Sequence, residues 1–273
     1  MTKIAYLGPE GTFSEQAAEY FADPLGSKLY PLASIEDVFE AVASGKTDYG
    51  VVPVENSIEG GVNTTIDSLI FDSDLFIKEQ LTLPISHNLM SNAGSKFTKI
   101  LSHPQALAQC RKFINSRYPE AEIAVVSSTA EAAKIAAGST EAVAAIGSKK
   151  SAELYGLKII HENIQENKNN TTQFILLTKT DTSEPKDGCS TLVAFSTEDQ
   201  PGALYRVLDI FAVWDLNMTK IMSRPTKNRH GEYVFFVELS EYENVADVAD
   251  ALTMIKRKTT FFKNLGSYKT TRI

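Results

Sequence analysis

The chain has 273 residues, 43% of them hydrophobic and 22% charged, with a net charge of −7. That length can bury more than one core, so two or three compact units are expected. An acidic balance without a basic cluster excludes a nucleic-acid partner, which needs positive charge for its phosphates, and no segment has the apolar length that would place the chain in a membrane.

Two cysteines, Cys110 and Cys189, stand without paired spacing, which argues against a disulfide framework and a zinc site. His87, His103, His161 and His230 also lack ligand spacing, so no metal and no cofactor is expected. The amino terminus reads straight into a strand with no secretory apolar stretch, which points to a cytoplasmic protein rather than a secreted receptor.

Ile4 to Leu7 is the first strand, and Gly8-Pro9-Glu10-Gly11-Thr12 turns it into a helix. Thr12 and Glu15 have capping-box spacing, so the turn offers backbone N–H groups to an anion, or is a plain strand-to-helix turn. A second capped helix starts at Ser34 and stops at Gly45. Asp48 to Val54 is a strand whose carboxyl end delivers Glu55, Asn56 and Ser57 toward a ligand crevice, or toward the cap of a helix over 62–70.

An extended stretch over 75–83 leads into a crossing at 84–89, where His87 reads as structural. Lys99 to Ser102 is a strand followed by His103-Pro104-Gln105, with Pro104 in the first turn of a helix. Ser102, His103 and Gln105 thus stand where a ligand could meet a helix N-terminus. Strand 123–126, the capping box Ser128 to Glu131, an Ala-rich helix, strand 142–146, a helix to Tyr155 and strand 157–160 continue the alternation. Such alternation indicates mainly parallel α/β sheets.

Asn170-Thr171-Thr172-Gln173-Phe174 then opens a strand that runs to Thr178. Threonines at the mouth of a strand aim hydroxyls at the end of the sheet, where ligands gather in open α/β folds. Thr180 to Gly188 is polar, with Pro and Gly, and reads as a linker. Beyond it, strand 189–195, a helix from Gly202-Ala203-Leu204, strands 217–222 and 233–239, a helix near 245–256 and a strand around 265–268 make a βαββαβ order, that of a ferredoxin-like module.

Four separated stretches now agree in order: Gly8-Pro9-Glu10-Gly11-Thr12, Val54-Glu55-Asn56, Ser102-His103-Pro104-Gln105 and Thr172-Gln173-Phe174. The set resembles the prephenate dehydratases, whose Thr-Arg-Phe signature appears here with Gln173 in place of arginine. The final module resembles an ACT regulatory domain, through Gly202-Ala203-Leu204 with Leu208 and through Ser223-Arg224-Pro225, where Met222 replaces the usual glutamate. Starting at Ile4, the first strand leaves no room for the chorismate mutase region of bifunctional members, so a monofunctional enzyme is expected.

The resemblance implies an α/β, two-lobed, periplasmic-binding-protein-like (type II) clamshell with a C-terminal ferredoxin-like ACT domain. Lobe 1 would hold about 1–76 and 160–180, lobe 2 about 77–159, with a linker over 181–188 and the regulatory domain over 189–273. It implies the decarboxylating dehydration of prephenate to phenylpyruvate, with L-phenylalanine as feedback effector and a homodimer or homotetramer.

Thr172, Glu55 and Asn56 would be catalytic, with Thr172 donating to the leaving hydroxyl. Gly8, Pro9, Gly11, Thr12, Ser57, Ser102, His103, Gln105 and Phe174 would bind substrate. Gly202, Ala203, Leu204, Ser223, Arg224 and Pro225 would bind phenylalanine. Because the cleft stretches hold no Arg or Lys, the substrate carboxylates would rest on helix N-termini after Gly8, Asn56 and Gln105. An arogenate dehydratase and a non-catalytic sensor of small anions are the alternatives.

Overall fold

The computed structural model describes residues 1–181, 188–226 and 232–273. The expected linker therefore lies mainly outside the described residues. Strands β1 (Lys3–Leu7), β2 (Lys28–Leu32) and β3 (Tyr49–Asn56) alternate with helices α1 (Phe13–Leu25) and α2 (Ile35–Ala43). The short β4 (Gly60–Gly61) and α3 (Asn63–Asp67) follow, and the helix expected over 62–70 continues past α3 as a π turn, Ser68–Asp72. Next come β5 (Phe76–Pro84) and β6 (Asn88–Ser91).

A second alternation has β7 (Lys99–Ser102), α4 (Pro104–Gln109), α5 (Arg111–Arg117), β8 (Glu122–Val125), α6 (Thr129–Gly138), β9 (Val143–Gly147), α7 (Lys149–Tyr155) and β10 (Lys158–His161). The chain returns through β11 (Thr171–Thr178). The last segment is β12 (Cys189–Ser196), α8 (Ala203–Val213), β13 (Met218–Pro225), β14 (Tyr233–Leu239), α9 (Ala246–Lys258) and β15 (Phe261–Arg272).

Local chemistry explains the helix starts. Ser34 accepts from the amide of Asp37 while the Asp37 carboxylate accepts from the amide of Ser34, a complete capping box. Ser128 likewise accepts from the amide of Glu131, and Pro104 occupies the first turn of α4, where its missing N–H costs nothing.

The strands form two sheets. One runs β13-β14-β12-β15-β5-β11-β3-β1-β2, with β4 beside β3, and the other runs β10-β6-β9-β7-β8. The expectation of mainly parallel sheets needs correction. β1 lies parallel to β2 and β3, and β7 parallel to β8 and β9, but β11 is antiparallel to both β3 and β5, and β6 to both β9 and β10. β11 re-enters the larger sheet only after the chain has built the whole of the smaller one, so no single crossover within one sheet joins it to β3 or β5, and the handed βαβ rule does not fix its direction. The expected lobe boundary at 76/77 falls inside β5, all of which stays in the larger sheet. β10, to His161, stays in the smaller one.

The terminal βαββαβ segment has the strand order β15-β12-β14-β13, all antiparallel. Its last strand is much longer than the expected 265–268. After Gly266, β15 pairs in parallel with β5 from Lys269 opposite Glu79 to Arg272 opposite Thr82. Gly266 makes that approach possible: its φ is +106°, and a Cβ there would stand 3.0 Å from the Ile77 carbonyl. One apolar core consequently joins Val52, Val54, Ile66 and Ile175 to Leu192, Ala194, Phe236 and Tyr268.

The other face of the first sheet packs on α1 through Ala17, Ala18 and Phe21. The smaller sheet is covered by α4 and α5 on one side and by α6 and α7 on the other. Loops at the carboxyl ends of β1, β3, β7 and β8 therefore open toward one crevice.

Candidate active site

Between the sheets lies a cleft of about 470 Å³, lined by Gly8, Pro9, Thr12, Phe13 and Ser14 from the start of α1, and by Pro53, Asn56, Thr172 and Phe174 from β3 and β11. The smaller sheet adds His103, Gln105, Ala106 and Gln109, and also Ser127, Ser128 and Thr129 at the start of α6. His87, Ile85 and Asn170 line it from the two crossings. No Asp, Glu, Lys or Arg is among these lining residues. Backbone amides, side-chain amides and hydroxyls are left to meet an anion, helped by the N-terminal ends of α1 and α6.

Thr172 lies on the β11 register position opposite Asn56 of β3. Asn56 Nδ2 donates to Thr172 Oγ1 at 2.9 Å and to Asn170 Oδ1 at 2.9 Å, and it also reaches the Thr171 carbonyl at 3.2 Å. Its Oδ1 accepts from the amides of Ile58 and Glu59 at 3.0 and 3.1 Å. Asn56 is thus spent within the protein, and its bond to Thr172 occupies a lone pair of Oγ1 while leaving the O–H proton available. Phe174, 2% exposed, forms the floor beside it.

The network continues outward. Asn170 Nδ2 donates to Gln109 Oε1 at 2.9 Å, and the same oxygen lies 3.2 Å from His87 Nε2. A carbonyl oxygen only accepts, so His87 carries its proton on Nε2, and its buried Nδ1 has no partner among the described residues. Burial holds the His87 pKa below the ordinary imidazole value, with the Gln109 bond opposing, so the ring is neutral at pH 7.

Several expected contacts fall elsewhere. Glu55 alternates away from Asn56 on β3 and pairs with Lys220 of β13, outside the cleft. Ser57 is exposed and accepts from the Thr171 amide at 2.9 Å. Ser102 is fully buried and donates to the Ile146 carbonyl at 2.7 Å. Gly11 gives its N–H to Glu15 Oε2 at 2.6 Å, and its carbonyl accepts from Ser148 at 2.9 Å, so its amide is taken. Its φ of +86° and a Cβ position 3.2 Å from that of Ser151 explain the glycine by close packing on α7. The helix start after Asn56 is also absent from the lining.

Gly8, Pro9, Thr12, His103, Gln105 and Phe174 do line the cleft. His103 caps α4 by accepting from the Gln105 amide at 3.3 Å. Gln109, Asn170 and the Ser127-Ser128-Thr129 run were not assigned from sequence. Gln109 follows Gln105 by one helical turn, and that spacing was the available signal. Cys110, next to Gln109, is fully buried, and burial pushes its thiol up to about 12, which removes it as a nucleophile.

In the terminal segment, Gly202 has φ +77° and starts α8, with Ala203 and Leu204 beside a hollow of about 170 Å³ that Asp199, Tyr233 and Phe235 also line. Ser223 and Pro225 are exposed, Ser223 pairing with Phe235 on β14. Arg224 points the other way: its guanidinium meets Asp67 at 3.0 Å and Asn63 at 2.9 Å on α3.

No helix among the described residues is long and apolar enough to cross a membrane, and no described cluster of His, Cys, Asp and Glu could hold a metal.

A family model described as prephenate dehydratase matches residues 4–182. The chain is 43% identical over 270 residues to the prephenate dehydratase of Methanocaldococcus jannaschii, covering 97% of each chain. Its mixed α/β fold with two sheets superposes with a TM-score of 0.91, at 33% identity, on a prephenate dehydratase in complex with L-Phe from Arthrobacter aurescens, covering 98% of this chain and 90% of that one. A structure described as GqqA, a quorum quenching acylase, is similar at 28% identity and a TM-score of 0.87, covering 98% of both chains.

Proposed function

Because the chain belongs to the prephenate dehydratase family, whose reaction takes prephenate to phenylpyruvate, carbon dioxide and water on the way to L-phenylalanine, we propose that Thr172 drives the dehydration by donating a hydrogen bond to the departing ring hydroxyl. The observation that carries this reading is the Asn56–Thr172 bond at the wall of a cleft without ionised side chains. An oxygen that already accepts a hydrogen bond is a better donor through its own proton. With Asn56 fixing the lone pair, that proton is left to face the cleft.

The chemistry asks for little else. As the ring carboxylate departs as carbon dioxide, its bonding pair enters the ring and the ring carbon–oxygen bond breaks; the oxygen leaves as hydroxide, which takes a proton from solvent to become water, and the ring is left aromatic. The transient need is for a donor at the leaving oxygen, worth about 2.7–4 kcal/mol if it behaves like an oxyanion-hole donor. Walls such as Phe13, Ile85, Pro53 and Phe174 stabilise the spreading charge and neutral carbon dioxide better than a localised carboxylate. The side-chain carboxylate of prephenate rests on the N-terminal ends of α1 and α6.

Prephenate is preferred to arogenate in this reading, because the extra ammonium of arogenate would find no carboxylate among the lining residues. An acylase would need a nucleophile held by a base. Thr172 Oγ1 is bonded to an amide, and Cys110 is held protonated.

The two sheets about the cleft read as a type II periplasmic-binding-protein-like clamshell over residues 1–180. The terminal βαββαβ segment, 189–272, reads as a ferredoxin-like ACT module after a linker. Its hollow beside Ala203 and Leu204 would take L-phenylalanine, with Ser223 of a partner subunit, in a cytoplasmic homodimer or homotetramer. Arg224 serves in this reading as a tether to α3.

The test mixes the protein with prephenate at neutral pH and follows phenylpyruvate by its alkaline absorbance, with and without L-phenylalanine. Rapid formation that responds to L-phenylalanine is expected. Product at the spontaneous rate overturns the reading.

A further inference from the structure

We propose that Lys220, outside the 4–182 stretch that the family model matches, is a positioning residue for the dehydration, acting through Glu55 on the Asn56–Thr172 pair. The inference rests on the role given to Thr172 above. Glu55 and Asn56 are neighbours at the end of β3, and their side chains leave opposite faces of the strand. Asn56 reaches into the cleft, while Glu55 reaches back to the Lys220 ammonium on β13. The pair is well covered, the Lys220 side chain being 18% exposed and that of Glu55 30%.

Across the sheet, Glu55 is flanked by Gln173 of β11 and Gly61 of β4. Gln173 brings no charge to this face, and its buried Oε1 has no partner among the described residues. Among the described residues, Lys220 is the ion-pair partner of Glu55. The carboxylate behind the catalytic strand end is therefore neutralised from the terminal module.

The rest of β13 makes the attachment stiff. Lys220, Met222 and Arg224 share the covered face, and the residues between them are exposed. Met222 packs on Gly61, where an added Cβ would stand 2.8 Å from its Cε, and Arg224 holds Asp67 and Asn63. Three contacts thus grip one continuous segment, from Glu55 to Asp67, that begins beside Asn56. Without Lys220, a half-covered carboxylate has no counter-charge and must turn toward water, carrying the Glu55–Asn56 peptide with it. The Asn56 amide then leaves its alignment on Thr172 Oγ1, which matters when the hydroxyl is working and less when substrate merely binds.

Steady-state turnover of prephenate by the full chain tests this. Lys220→Met is expected to lower kcat about tenfold with KM within about twofold, Lys220→Arg to restore it, and Glu55→Gln combined with Lys220→Met to recover most of the loss, because the stranded charge is gone. Lys220→Gln stands in if Lys220→Met does not fold, as judged by circular dichroism, with the same expectations. Unchanged kcat in a folded Lys220 variant overturns the proposal. So does a Glu55→Gln variant that collapses turnover whether or not Lys220 is present, since Glu55 would then act directly. A wild-type chain without turnover, or a fully active Thr172→Val variant, overturns the underlying role of Thr172 instead.

Discussion

Asn56 and Thr172 sit opposite one another on paired antiparallel strands, and the amide of the first holds the hydroxyl oxygen of the second at 2.9 Å. In the proposed mechanism this arrangement separates two tasks: Asn56 aims and Thr172 donates. Thr172→Val removes the donor and keeps the shape, so the fold should persist while turnover falls by about 10²–10³. Thr172→Ser, which keeps a hydroxyl, should retain much of the activity. Phenylpyruvate formation and circular dichroism on the same samples check both.

Asn56→Asp replaces a donor by an acceptor at the same size. The carboxylate would face Asn170 Oδ1 and the Thr171 carbonyl, both of which now receive the amide, and would pull the Thr172 proton away from the cleft. Turnover should fall as far as in Thr172→Val, and stability by about 1–3 kcal/mol or more from the unpaired acceptors. Urea denaturation beside the activity assay reads the two effects separately.

His87 gives the fold a pH dependence with a definite sign. Burial lowers its pKa in the folded state, so in the window just below the ordinary value the unfolded chain binds a proton that the folded chain refuses. This contribution is fully present above about pH 6.5 and is lost as the pH falls below it. Urea midpoints of the wild type should drop between about pH 7.5 and about pH 5.5 by more than those of His87→Gln, which has no proton to take up.

Gly50 on β3 tests packing away from the cleft. A Cβ there would lie 2.7 Å from Val38 Cγ1 and 2.8 Å from Val42 Cγ2, short branched side chains of α2 with no room to swing aside. Gly50→Ala should cost about 1–3 kcal/mol in overpacking. Activity at low temperature should be near normal, and a lowered urea midpoint is the readout.

Much of this architecture could be read from local signals. The cap at Ser34, the proline opening α4 and the glycine at the start of α8 each act within a few residues, and each marks a real helix start. Strand β2 was overlooked because Lys28-Leu29-Tyr30-Pro31-Leu32 carries a proline and lies on the sheet's edge, where proline is tolerated. Strand β6 begins within the expected crossing at 84–89 and runs on to Ser91.

Strand direction is not legible at β11, which re-enters the larger sheet from the smaller one and lies antiparallel to both β3 and β5. The candidate site divided along the same line. Thr172, Phe174, Thr12 and Gln105 lie where strand ends and helix starts converge, but Ser102 and Ser57 sit on the same stretches with their hydroxyls committed to the Ile146 carbonyl and the Thr171 amide. Nothing within a few residues distinguishes a hydroxyl aimed at a cleft from one bonded across the sheet. The Glu55–Lys220 pair depends on a meeting of distant strands that no local pattern encodes.

The parallel pairing of β15 with β5 bears on how the protein is made. Until β15 has left the ribosome, β5 offers an open row of N–H and C=O groups along the edge from Glu79 to Thr82 that β15 later pairs with. An exposed strand edge of this kind invites pairing with another chain. Among the described elements, β15 is the one synthesised last, and it closes that edge while bringing the terminal module's core onto Val52 and Ile175. The hazard lasts from the emergence of β5 to the emergence of β15, so a nascent chain stalled ahead of Phe261 would be the sticky species, even with Asn56 and Thr172 already translated.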